Sequence, residues 1–96
     1  MLDELRKNID AIDTEILVLL NRRAETARKI GKVKLQAGLP MVDRNREVEV
    51  IRKIVRENEG SLADEAAARI YSEIINETRQ IQIELAESVA SSGQIQ

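Results

Sequence analysis

Along the first third of the chain, Leu2, Leu5, Ile9, Ile12, Ile16 and Leu19 recur at spacings of three and four. That spacing draws an apolar stripe down one face of an α-helix. Continued, it calls for inward residues at 23 and at 26 or 27. Position 23 is an arginine. The stripe recovers at Ala27 and Ile30 and then meets Lys34. The pattern predicts a first helix from about Asp3 to Ala37, closed by Gly38 with Pro40 just beyond. Such a helix is roughly 50 Å long.

A second pattern opens at Asp43, a good N-cap, and carries Val48, Ile51, Ile54 and Val55 to about Asn58. Its length is roughly 24 Å. The stretch ENEGSLADEAAARI then supplies a turn and a new start, with Ser61 or Asp64 as the candidate cap. The third helix, of medium length, is expected to reach about Ala90, with Ala67, Ile70, Ile74, Ile81 and Leu85 facing inward. Residues 1–90 therefore read as one all-α domain of three helices, and residues 91–96 as a disordered tail. In a lone chain the first helix, about twice as long as the second, leaves half its stripe uncovered. A second copy would cover it, which predicts an intertwined helical homodimer.

Composition sharpens this picture. Of 96 residues, 33% are charged and only 1% aromatic, so a core built from one chain is thin. Fifteen basic against seventeen acidic residues, net −2, give no support to a nucleic-acid partner. No apolar run approaches the roughly 18 residues of a membrane span. The opening MLDELRKNID reads as neither a signal nor a transit peptide. With no cysteine, the cytoplasm is the expected compartment. Histidine is absent as well, so thiolate catalysis, Ser–His pairs and His-ligated metals are excluded. Any chemistry must run on Arg, Lys, carboxylates, amides and hydroxyls.

Those residue types break the stripes. Arg23 and Lys34 lie eleven positions apart, which leaves them only about 20° apart around the helix axis, three turns along one face. Both could snorkel to solvent or pair with acids from another helix. Arg46 sits in the first turn of the second helix beside Glu47, where a cation opposes the helix dipole. Thr78 and Gln82 form an i, i+4 pair on the third helix, an ordinary polar boundary if taken alone. Together, three helices bring polar groups toward what could be one internal cavity, and its cations would want a small anion. Arg6 lies roughly 25 Å along the helix from Arg23. It is either a solvated surface residue or a contribution to the site of a second chain.

LRKNIDAID in the first helix, RR ahead of GKVK, and PMVDRNRE at the start of the second resemble the small all-α chorismate mutases over nearly the whole chain. The resemblance implies that Arg6 comes from the other subunit and that Arg23, of the same chain, clamps a substrate carboxylate. Arg23 is preferred to Arg22 because it continues the stripe. By the same resemblance Lys34 and Gln82 approach the ether oxygen of the breaking bond, and Arg46 completes a cationic wall. Glu47 and the backbone near Asp43 hold the ring hydroxyl, and Thr78, where some relatives carry serine, orients a carboxylate. The substrate implied is chorismate, a small dicarboxylate, and the reaction a unimolecular pericyclic rearrangement to prephenate in aromatic amino-acid biosynthesis. No cofactor and no metal is implied. An isochorismate pyruvate lyase on the same fold is the alternative, and a non-catalytic helical dimerisation module the remote one.

Overall fold

The computed structural model describes residues 1–95. It is all-α: α1 spans Leu2–Ala37, α2 Arg44–Glu57 and α3 Asp64–Ile95. Gly38 ends α1 in the left-handed region, at φ 70° and ψ 25°, a conformation that costs glycine nothing. Its N–H reaches Leu35 O at 3.3 Å and the Leu39 N–H reaches Lys34 O at 2.8 Å, so the last carbonyls are satisfied. Asp43 caps α2 as the sequence predicts, its Oδ1 accepting from the Arg46 N–H at 3.0 Å.

The third helix departs from expectation at both ends. Neither Ser61 nor Asp64 caps it; the first turn closes from Ala67 N–H to Ala63 O, and Asp64 is already helical. The turn before it is held by Asn58, whose Nδ2 donates to Leu62 O at 2.9 Å and to Asp64 Oδ1 at 2.8 Å. At 32 residues α3 is nearly as long as α1 with 36, rather than of medium length. It passes Ala90 because the chain offers no proline or glycine to stop it before Gly93. Of the tail expected at 91–96, residues 91–95 are thus drawn as helix and Gln96 lies outside the described residues.

Helix α3 packs against both α1 and α2, which do not pack on each other. The Arg23–Thr78 and Ala27–Gln82 hydrogen bonds and the approach of Gly31 to Leu85 advance together along both chains, so α1 and α3 run parallel. The pairs Glu47–Arg79 and Asn58–Asp64 make α2 antiparallel to α3. Ala27, Ala67, Ile75 and Leu85 are the buried apolar residues. Of the inward residues expected on α3, Ala67 and Leu85 are buried, Ile74 and Ile81 are half-buried and Ile70 is 49% exposed, while Ile75, not among them, is buried.

Gly31 makes the α1–α3 contact possible. A Cβ at that position would sit 3.2 Å from Leu85 Cδ2 and 3.3 Å from Gln82 Cγ. The bare backbone lets the Gln82 side chain slide in against α1 one turn below. The N-terminal half of α1 meets nothing comparable. Leu2, Leu5, Ile9, Ile12, Ile16 and Leu19 are all between 48% and 59% exposed. The chain measures 62 × 28 × 15 Å with a radius of gyration of 17.2 Å, against about 12.5 Å for a compact domain of this length. The lone chain thus exposes a continuous apolar face along the N-terminal half of α1. Among the described residues, no helix is long and apolar enough to cross a membrane.

Candidate active site

The C-terminal half of α1, the start of α2 and the middle of α3 line a cavity of about 440 Å³ that is open to solvent on one side. Seven of the eight residues the sequence singles out belong to its wall: Arg23, Lys34, Asp43, Arg46, Glu47, Thr78 and Gln82. Arg6 does not; it lies exposed on the free arm of α1, remote from the cavity of its own chain. Thr26, Met41 and Arg79 also face the cavity and went unmarked in the sequence.

Lys34 is half-buried and its ammonium is held by two neutral acceptors, Met41 O and Gln82 Oε1, each at 2.9 Å. One of its three N–H groups stays uncommitted. Met41 O is within reach because the left-handed turn at Gly38 folds the connecting segment back over the end of α1. Gln82 is buried, 6% exposed, and bridges helices: Oε1 accepts from Lys34 while Nε2 donates to Ala27 O at 2.8 Å. The amide orientation follows from these partners, since a flipped amide would set carbonyl against carbonyl and NH2 against ammonium. The second Nε2 hydrogen is left for the cavity.

Arg23 donates from Nη1 to Thr78 Oγ1 at 2.6 Å, and the Thr78 hydroxyl donates in turn to Ile74 O at 2.9 Å. With its proton engaged on Ile74 O, the hydroxyl positions Arg23. The resemblance assigns Thr78 a direct part in orienting a carboxylate, and that part requires the hydroxyl to rotate. Four of the five guanidinium donors of Arg23 remain free, the fork that grips a carboxylate. Among the described residues neither Arg23 nor Lys34 forms a salt bridge. Within one chain, neither cation is neutralised by an acid of another helix.

The remaining charges behave differently. Arg46 is exposed and reaches Glu49 of its own helix at 3.3 Å, a pair of little energetic weight. Glu47 is held from α3: Arg79 Nη2 donates to Oε1 at 2.7 Å and Arg79 Nε to Oε2 at 2.9 Å. Arg44 adds a weaker contact to Oε1 at 3.2 Å. The hydrogen bonds from Arg79, opposed by burial and helped by the charges of Arg79 and Arg44, hold the Glu47 carboxyl below the ordinary glutamate pKa. The same hydrogen bonding raises Arg79. A signal for Arg79 was present in the sequence, since Ile75, Arg79 and Gln82 share one helical face at i, i+4 and i+7.

Counted by residue, the wall carries four cations (Arg23, Lys34, Arg46, Arg79) and two carboxylates (Asp43, Glu47), an excess of two positive charges. The whole chain is net −2, so the excess is local. Residues 5–83 match the family model described as chorismate mutase type II. The chain belongs to that family.

Three similar proteins fill in the picture. A bifunctional chorismate mutase/prephenate dehydratase of Aquifex aeolicus is 49% identical over 79 residues, 78% of this chain. This chain spans only 22% of that protein's length. The chorismate mutase of Methanocaldococcus jannaschii is 30% identical over 95 residues, covering 96% of this chain and 94% of that protein. Form II of the Thermus thermophilus chorismate mutase structure superposes with a TM-score of 0.83 at 32% identity, over 84% of this chain and 92% of the other. This chain thus resembles chorismate mutases in both sequence and overall fold.

Proposed function

We propose that this cavity binds chorismate and converts it to prephenate. The observation that carries the reading is the pair Arg23 and Lys34: cations at the cavity wall, held in place by neutral acceptors, with their charge left for an anion. A twofold positive excess suits a dicarboxylate. The rearrangement needs no proton transfer, nucleophile or metal. It needs the side chain folded over the ring and negative charge stabilised on the ether oxygen. Arg23 grips a carboxylate. The free N–H of Lys34 and the second amide hydrogen of Gln82 meet the ether oxygen, and both are fixed before substrate arrives. Arg46, swung from Glu49, closes the cationic wall, and Glu47 with the Asp43 backbone receives the ring hydroxyl. An acceptor at that position favours the mutase over the pyruvate lyase.

The same reading places two chains in one intertwined dimer, residues 1–90 of each forming the helical domain. The bare stripe of α1 supports it: the arm that carries the stripe also carries Arg6, and Arg6 of the partner subunit would complete the site. The pathway is aromatic amino-acid biosynthesis and the compartment the cytoplasm, which suits a disulfide-free chain. Incubation of the purified protein with chorismate, with product identified by mass and by conversion in acid to phenylpyruvate, tests the activity. Release of pyruvate from isochorismate without conversion of chorismate would assign the lyase, and no turnover of chorismate would overturn the reading.

A further inference from the structure

Of the two carboxylates on the cavity wall, Asp43 is committed to capping its own helix, whereas Glu47 is gripped from another. The Arg79 fork engages both carboxylate oxygens, and the two side chains are only 20% and 19% exposed. A carboxylate offers about four acceptor positions. Arg79 and Arg44 fill both on Oε1, and Arg79 Nε fills one on Oε2. One position on Oε2 is left.

We propose that Arg79 is a positioning and specificity residue: it fixes Glu47 so that a single acceptor meets one substrate hydroxyl, and it cancels the carboxylate's charge beside a dianion. The inference rests on the chorismate mutase reading and deepens it. An unclamped glutamate has three rotatable torsions and a full negative charge. Placed beside two substrate carboxylates it would repel them, or take up a proton and present a donor where an acceptor is needed. Clamped, it reads a hydroxyl by geometry, and a substrate lacking that hydroxyl leaves the acceptor unpaired. Charge and geometry are separable because lysine keeps the first and loses the second: an ammonium cannot span both oxygens as the planar fork does.

The test compares wild type, Arg79→Lys and Arg79→Ala on chorismate and on its 4-deoxy analogue, each rate divided by the substrate's own uncatalysed rate. Wild type should prefer the hydroxylated substrate by about 100-fold in kcat/KM, a modest share of what a paired hydroxyl can give. Both variants should fall below about tenfold. Arg79→Lys should keep a KM for chorismate near wild type, and Arg79→Ala should raise it. Carbon-detected NMR titration of the Glu47 carboxyl in the free protein gives a readout independent of turnover. Its midpoint should rise in Arg79→Ala, only part of the way, because Arg44 still contacts it and Arg23, Lys34 and Arg46 share the cavity wall, while Asp43 opposes them. Should Arg79→Ala fail to fold, Arg79→Lys carries the test. Full discrimination in Arg79→Lys would overturn the inference, as would an unmoved Glu47 midpoint in Arg79→Ala. Wild type inactive on chorismate would instead fail the underlying reading.

Discussion

Replacing Gly31 with alanine puts one methyl group into the α1–α3 contact, and two opposed effects set the outcome. Alanine favours the helix over glycine by about 1 kcal/mol. Against this, the new Cβ would meet Leu85 Cδ2 at 3.2 Å and Gln82 Cγ at 3.3 Å, and overpacking of a close contact costs about 1–3 kcal/mol. The net loss of stability should be about 0–2 kcal/mol, small enough for the protein to stay folded. The neighbours do not yield equally. Leu85 meets the methyl with the free end of its side chain and can rotate. Gln82 is pinned beyond its Cγ by Lys34 and Ala27 O, so displacing it disturbs the amide that the mechanism uses. A misplacement of 1 Å can cost about 100-fold, so a shift of a few tenths of an ångström should lower kcat by about tenfold. Thermal melts followed by circular dichroism, together with steady-state kinetics on chorismate, measure both quantities. If Gly31→Ala gains the full helix-propensity increment and turns over like wild type, the contact is loose and Gln82 is not held against α1.

Lys34→Ala should lower kcat by two to three orders of magnitude, since a preorganised donor at a developing oxyanion is worth about 3–4 kcal/mol; it should also cost about 1–3 kcal/mol of stability, because Gln82 Oε1 and Met41 O lose their donor. Unchanged specific activity in the folded variant would remove Lys34 from the chemistry. Wild-type turnover should be nearly flat from about pH 5 to 8, a range where glutamate stays ionised and Lys and Arg stay charged, whereas Gln82→Glu should work in acid and fade as pH rises. Protonated glutamate can still donate to Ala27 O or to substrate; ionised glutamate sets negative charge against the reacting oxygen, so a flat profile in that variant would contradict the role given to Gln82. Sedimentation equilibrium at micromolar concentration should give twice the chain mass, and mixed Arg6→Ala and Lys34→Ala chains should regain activity through one intact composite site. A fully active monomer, or no recovery after confirmed subunit exchange, would refute the shared site.

Side-chain periodicity carried most of the cavity, because Arg23 and Lys34 fall where a helix of 3.6 residues per turn must place them, on the stripe of Ala27 and Ile30. The Asp43 cap and the Gly38 stop were legible for the same local reason. Less legible was anything decided between helices. Ile74 and Ile75 are neighbours in sequence, and only the rotation of α3 against α1 and α2 buries the second. Ile70 looks inward on periodicity yet stays half-exposed. Arg79 shares a face with Ile75 and Gln82, but its role depends on Glu47 in another helix and is not legible in α3 alone. The helix passes Ala90 because the pair Ser91 and Ser92 weakens a helix without breaking it.

The fixed points of the cavity are main-chain atoms. Lys34 is tethered to Met41 O, Gln82 to Ala27 O and Thr78 to Ile74 O. A carbonyl oxygen belongs to whatever amino acid occupies its position, so mutation at residues 27, 41 or 74 leaves the acceptor standing as long as the backbone keeps its path. Evolution is free to exchange those three side chains, subject only to packing, while the tethers persist. Comparison of diverged sequences would score such positions as variable, and these three tethers would go unseen. Conservation would mark the donors alone, and drift at their partners would say nothing about loss of function.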